Sequence, residues 1–518
     1  MQNINNHIFS KSELTNLLEL CKEHTLGEVD KNNVFARTKT NPKITGIAGD
    51  VIEQSVLGYP PDTRQEPDLI VDGVKVELKT TGIRKIKEKK SKTKKEYKQN
   101  ELFLEAAQTA PAYAPKYEAK EPMSITAVSP NKIVKEEFDD SNFWHKLEHM
   151  LLVFYLYDSD KTVTAAEYAN FPIKGYEFHE FSEDDRLILE NDWQIVRDFI
   201  RYLQNNYTEY ENEYPRISHE LRQKLLYIDT APKWPNPPRF RLKRSVVTGI
   251  VQEYFNSKNE KLPVKITKYS DIENKCSELT KLYKNKTIKE ICEALSIPKK
   301  DINKAIGEKI VINMFGGKSS KMNKIDIFNK ANIIGKTIIL TSEYKGTEDI
   351  KFFMIDFNEI QEPNLRFEDS SFYNYFSEQT FLCIIFKEPF KPNTGTSIPL
   401  EDNIFLGFKK INFSEEFIMN EVKRTWDEIR DLVINKKLKL IVKTNKAGEP
   451  IINKTGVPSD APNFPKSKTN AVFVRGTGTD STSKTECVNG LSMYDQNIWI
   501  KRKSFIDILN GSSFLSNN

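Results

Sequence analysis

Five short segments of this 518-residue chain recur in the same order, which constrains the fold more than any other feature. Thr25-Leu-Gly-Glu28-Val returns as Thr287-Ile-Lys-Glu290-Ile, and Gly49-Asp-Val-Ile52 through Leu57-Gly58 returns as Gly307-Glu-Lys-Ile310 through Phe315-Gly316. Phe138-Asp-Asp140-Ser-Asn-Phe143 returns as Phe367-Glu-Asp369-Ser-Ser-Phe372, and Trp193-Gln-Ile-Val-Arg197-Asp198 as Trp426-Asp-Glu-Ile-Arg430-Asp431. Leu242-Lys-Arg-Ser returns as Ile500-Lys-Arg-Lys. The offsets run from 229 (Phe138 to Phe367) to 262 (Thr25 to Thr287), so the matches keep register over most of the chain. Shared apolar periodicity arises wherever cores are packed, but it does not explain a repeated Trp-x-x-x-Arg-Asp. The expectation is therefore an α/β protein of two tandem homologous lobes, residues 1–255 and 256–518, divided near the polar stretch at 252–270.

Periodicity predicts helices near 11–24, 45–57, 184–206 and 418–435, and strands near 68–71, 74–80, 122–129 and 150–157. The lysine-dense stretch 84–98 has no apolar period and reads as a loop, either solvated or in contact with phosphate. Residues 450–484, rich in Gly, Thr, Ser and Pro, also read as a loop.

The stretch Pro67-Asp-Leu-Ile-Val-Asp-Gly-Val-Lys-Val-Glu-Leu-Lys79 carries the chemistry. Asp72-Gly73 between apolar residues signals a two-residue hairpin turn, which needs positive φ at both positions. That turn sets Val71 opposite Val74, Ile70 opposite Lys75, Leu69 opposite Val76 and Asp68 opposite Glu77. Alternation then puts Leu69, Val71, Val74, Val76 and Leu78 on one apolar face, and Asp68, Lys75, Glu77 and Lys79 on the other. Like charges directly across a strand pair repel. A divalent cation sharing both carboxylates relieves the conflict, and Mg²⁺ suits one or two carboxylates plus a phosphate. Lys79 is placed to orient a water and offset phosphoryl charge. An exposed hairpin face of mixed charge fits the same pattern.

Pro67-Asp68 with Glu77-x-Lys79 resembles the nuclease signature of many restriction endonucleases. With Thr25-Leu-Gly-Glu-Val, Gly46-x-x-Gly49-x-x-x-Glu53, Val76-Glu-Leu-Lys-Thr80, His145-Lys-Leu147 and Phe240-Arg-Leu-Lys243, the chain resembles the MutH family and its two-domain type II restriction relatives acting at GATC. The resemblance covers most of residues 11–252. It implies a restriction-endonuclease-like (PD-(D/E)xK) core and Mg²⁺-dependent hydrolysis of double-stranded DNA. It also implies Asp68, Glu77 and Glu53 as metal ligands, with Lys79 and Lys146 as catalytic lysines. The interval from Asp68 to Glu77 is longer here than in much of the family.

In the second copy, aligning Gly335 on Gly73 sets Ile339 against Glu77 and Thr341 against Lys79. Gly307 on Gly49 sets Val311 against Glu53, and Phe372-Tyr-Asn-Tyr375 stands near Lys146. That copy is expected not to cut. As in the restriction relatives, it is expected to bind a second target site as an effector, bridging two DNA copies, or to act in a dimer on DNA. The recognition region of the family resembles residues 219–245 of this chain. Lys233, Lys243 and Arg244 are the DNA-binding candidates there, with Arg475, Lys501 and Arg502 in the second copy. The rival functions are a strand-nicking repair endonuclease and a non-catalytic DNA-bridging protein.

Other features narrow the class. The net charge of +4 does not by itself announce a nucleic-acid binder. No apolar run reaches about 18 residues, so no membrane partner is expected. The five cysteines form no C-x-x-C pair, and the first residues lack a signal-peptide pattern, so a cytoplasmic protein is expected. His145 and His149 do not make a His-Glu-x-x-His zinc motif, and Gly316-Gly-Lys-Ser319 lacks phosphate-loop spacing.

Overall fold

The computed structural model describes residues 7–42, 44–60, 66–86, 117–159, 163–233, 236–390, 398–445, 447–453, 456–478 and 483–515. The chain is mixed α/β. Its first sheet runs in the order β1 (Ile8–Phe9), β2 (Leu69–Val71), β3 (Val74–Lys85), β6 (Met150–Leu156) and β7 (Ile173–His179), with β4 (Tyr117–Ala119) on the far end of β3. β5 (Met123–Ala127), β8 (Ile228–Lys233) and β9 (Asn236–Leu242) form a separate antiparallel sheet with β9 at its centre.

The predicted turn forms as read. Asp72 and Gly73 have φ of 48° and 87°, and Leu69, Ile70 and Val71 pair with Val76, Lys75 and Val74. β3 then continues past the expected end at 80 to Lys85, leaves its hairpin partner and pairs in parallel with β6. β6 also pairs antiparallel with β7, and all seven of its residues are buried, as a central strand covered on both faces requires. On one face Leu78, Leu151 and Val153 meet Leu14 and Leu18 of the helix Lys11–Cys21 and Val51 of the helix Ile47–Val51. On the other, Met150, Leu152 and Phe154 meet Trp193, Val196 and Ile200 of the helix Glu183–Asn206 and Val246 and Ile250 of the helix Arg244–Tyr254. Each such side chain contributes about 1.5–3 kcal/mol on burial. Val74, expected on the apolar face, is 45% exposed because it sits at the hairpin tip beyond the packed sheet.

A second set of elements follows the same order. β10 (Ile333–Leu340) pairs in parallel with β12 (Thr380–Lys387), which pairs antiparallel with β13 (Ile404–Ile411). β11 (Ile350–Met354) and the strand Val472–Thr477 flank Asp495–Ile500. Thr25 and Thr287 each exchange the same pair of hydrogen bonds with the glutamate three residues on, at 2.7 and 3.2 Å in both. Ser141 and Ser370 each donate to the carbonyl three residues back, Phe138 or Phe367, at 2.6 Å.

The two sets do not have wholly separate cores. Ile266, Tyr269, Ile310 and Phe408 belong to the same apolar cluster as Trp193 and Phe240. At the seam Lys330 is buried and pairs with Asp185 at 3.0 Å and with Asp326 at 3.0 Å. Residues 450–484, expected as one loop, contain the strands Asp460–Pro462 and Val472–Thr477. The lysine-dense stretch begins inside β3, and its residues 87–98 lie outside the described residues.

Candidate active site

The site lies where β2, β3 and the turn before β6 meet. Glu77 is 1% exposed, and its backbone N–H donates to His149 O, which ties it to the start of β6. Lys79 lies two residues further on the same face and donates to Glu77 Oε1 at 2.5 Å. Lys146 ends the short helix Asn142–His145, which is capped by Ser141 Oγ accepting from Trp144 N. From there its Nζ reaches both Glu77 oxygens at 2.9 Å and Glu66 O at 3.4 Å. Asp68 lies just before β2, and its Oδ2 accepts the Leu78 N–H at 3.0 Å. Burial, and then the charge of Glu77, push the Asp68 carboxyl above its ordinary range; Lys79 and Lys146 pull the other way.

Two neighbouring acids, one buried and one part-buried, thus share two ammonium groups. Such an arrangement is tolerable only with positive charge close by. The donor set is hard oxygen, which fits a divalent cation, and Asp68 and Glu77 are the residues that would hold it.

Among the described residues no three His, Cys, Asp or Glu side chains converge as a metal-holding group. Gly49 lies against Thr80, with a Cβ there falling 3.6 Å from Thr80 Oγ1. The helix therefore covers the face of β3 opposite Glu77 and Lys79. Glu53 itself sits in the wider turn Ile52–Val56 that ends this helix.

The second set of elements gives a different register from the expected one. A Cβ on Gly307 would meet Thr337 Oγ1 at 2.0 Å, so Gly307 lies on Thr337 as Gly49 lies on Thr80. Counting back along the strand, Ile334 stands in the place of Glu77 and Lys336 in that of Lys79, not Ile339 and Thr341. β10 follows the helix Asp326–Lys330 rather than a hairpin, so no aspartate matches Asp68. Lys336 donates to Lys351 O at 2.9 Å, and burial pushes its ammonium down to about 8. Aromatic packing replaces Lys146: Tyr375 lies 4.6 Å from Phe353.

The expected DNA-binding residues fare unevenly. Lys243 is buried, donates to Leu225 O and lies near Asp192. Arg244 bonds Ala119 O and the Glu118 carboxylate. Arg475 pairs with Asp349 at 2.6 Å and lies over Phe473 and Trp499, yet remains 45% exposed. Lys501 is half-buried and Arg502 exposed, at the start of the helix Arg502–Asn510. The side chain of Lys233 lies outside the described residues.

Two motifs set aside from the sequence have structural roles. His149 pairs with Glu180 at 3.1 Å. The backbone N–H groups of Lys318 and Ser319 do hold an anion, but it is the chain's own Glu260 carboxylate, at 2.7 Å each. A cleft of ≈ 480 Å³ lined by Glu428, Asp431, Lys466 and Lys468 belongs to the second set of elements and is not part of this site. What the sequence did not reveal is His7, whose Nδ1 contacts Asp68 O at 2.8 Å. No motif marks it, because the contact spans 61 residues.

The chain is similar to known proteins over the region that holds this site. Residues 57–192 match the family described as DNA mismatch repair enzyme MutH, a span that holds Asp68, Glu77, Lys79 and Lys146. The chain is also similar to the type II restriction enzyme Sau3AI of Staphylococcus aureus, 27% identical over 417 residues, covering 73% of this chain and 72% of the relative. Residues 57–192 are thus a MutH-family domain, set in a longer chain that is similar over most of its length to a type II restriction enzyme.

Proposed function

We propose that this chain is a type II site-specific deoxyribonuclease that hydrolyses double-stranded DNA with Mg²⁺ at unmodified GATC. The observation that carries this reading is the convergence of Asp68, Lys79 and Lys146 on Glu77, inside the span matched to MutH. Asp68 and Glu77 would hold the ion, which when bound supplies a Lewis acid for the phosphoryl group and lowers the pKa of water. Lys79 and Lys146, both held at Glu77, would orient the attacking water and offset charge on the phosphoryl oxygens.

Residues 1–255 are the catalytic lobe in this reading, and residues 256–518 a homologous lobe that does not cut. The recurrent strand order, the matched threonine and serine caps and the Gly–Thr contacts support a duplication. Loss of both acids supports an inert second site, since Lys336 alone cannot hold a cation. A lobe that keeps the scaffold without the acids suits binding of a second DNA copy as an effector. Likeness to a restriction enzyme over both halves favours this over a repair nickase.

The test is digestion of GATC-containing plasmid, methylated and unmethylated, across a Mg²⁺ titration. Linear product from unmethylated plasmid, dependent on the ion, is expected. A nicked product would favour the repair-type enzyme, and no product at any ion concentration would favour a bridging protein.

A further inference from the structure

Asp68 stands one residue outside the ladder that begins at Leu69, so strand pairing alone does not fix it. A chain segment far away in sequence does. β1 lies parallel to β2, with Ile8 beside Ile70 and Phe9 beside Val71. The Asp72 N–H donates to Phe9 O at 3.0 Å, and the Lys11 N–H donates to Asp72 Oδ2 at 3.1 Å, securing the turn end of β2. At the other end His7 Nδ1 meets Asp68 O at 2.8 Å. A carbonyl only accepts, so the ring proton resides on Nδ1. The His7 ring packs 4.4 Å from that of Tyr59, which is 3% exposed and whose N–H donates to Glu53 O at 3.1 Å. His7 therefore joins the hairpin to the segment that leaves the Gly49 helix.

We propose that His7 is a positioning residue for Asp68. It fixes the backbone of this acid from one side while the Leu78 N–H fixes its carboxylate from the other, so that Asp68 and Glu77 are preset for one ion. The proposal rests on the reading of Asp68 as an ion ligand. A group that orients a ligand changes ion affinity by about 10–100-fold when removed. His7 meets the backbone carbonyl of Asp68 rather than its carboxylate.

The experiment is calorimetric titration of Mn²⁺ into the full chain without DNA, comparing wild type, His7→Ala and His7→Asn. Asparagine can place an amide N–H near the position of Nδ1. His7→Ala should weaken Mn²⁺ binding about tenfold, and His7→Asn should restore most of the loss. Ion-free binding of a GATC duplex and the unfolding midpoint should match wild type in both variants. In cleavage assays His7→Ala should need more Mg²⁺ for half-maximal rate yet reach the wild-type rate at saturation. Unchanged Mn²⁺ affinity in His7→Ala, or no recovery in His7→Asn, would overturn the role of His7 alone. Failure of the wild type to take up Mn²⁺ would overturn the metal-nuclease reading, and this proposal with it.

Discussion

Glu77 is the residue on which the charges of the site converge, and its partners divide the work. Lys79 and Lys146 neutralise it in this structure, so replacing either leaves a buried carboxylate short of a partner. Lys79→Ala should lower plasmid cleavage at least about 100-fold, with duplex binding by gel shift retained; full activity would refute the assignment. Asp68 gives a pH dependence. Its carboxyl is raised by burial and by Glu77, so the protonated form is favoured in the folded chain, and this contribution to stability is lost as pH rises through the raised value. A bound ion reverses that preference. Ion affinity should therefore fall on acidification, starting above the usual aspartate range, and Mn²⁺ titrations at pH 5 and 7.5 should show it. Asp192 is a structural counterpart. Burial pushes it up to about 6 while it accepts the N–H groups of Leu226, Tyr227 and Ile228. Its folded value lies above the unfolded one, so stability gained from its protonation is present at pH 4 and lost as pH rises through 6. In Asp192→Asn one oxygen cannot serve three donors, and the variant should lose about 1–3 kcal/mol at pH 7.5 in urea unfolding.

At the scale of elements, the hairpin was legible because everything that sets it lies within a dozen residues: an Asp-Gly turn, alternation and two acids. Its register from Leu69–Val76 to the turn follows from that local code, whereas the expected pairing of Asp68 with Glu77 falls outside the ladder, because β3 has turned to pair with β6 from Glu77 onward. The face of β3 that the Gly49 helix covers was not legible, because it depends on packing partners such as Leu14 and Leu151. The same cause misled the alignment of the second set, where glycine-to-glycine matching missed the Gly307–Thr337 contact. That contact makes a prediction. Gly49→Ala should be tolerated within about 1 kcal/mol, since its Cβ meets only ordinary van der Waals contact. Gly307→Ala forces a Cβ into a β-branched side chain and should cost about 1–3 kcal/mol. Thermal unfolding of both variants checks the contrast, and equal shifts would count against the packing described.

Across the whole molecule, the two sets of elements are joined by a shared apolar cluster and by the buried pairing of Lys330 with Asp185. Burial works against ionisation of Asp185, but Lys330, Ser182 and Tyr227 together hold its carboxyl below the ordinary value. That contribution is present above the unfolded aspartate pKa and lost as pH falls through the lowered one. Lys330→Met leaves a buried carboxylate without its cation and should cost about 3 kcal/mol in urea unfolding; a loss below a third of that would show the pair to be incidental. An effector role for residues 256–518 predicts faster cleavage of two-site than one-site plasmid by the intact chain, and equal rates would argue against it.

By itself the sequence determined the hairpin, its register, the candidate acids and lysines it carries, and the recurrence of a plan along the chain, because turn chemistry, alternation and repeated words are local. Only the tertiary structure decided which face of β3 the Gly49 helix covers, that Lys336 takes the place of Lys79, that Lys243 is buried, and that His7 meets Asp68. Each of those depends on contacts between segments far apart in sequence, formed when the chain closes its cores, and no local pattern encodes which distant surface will arrive.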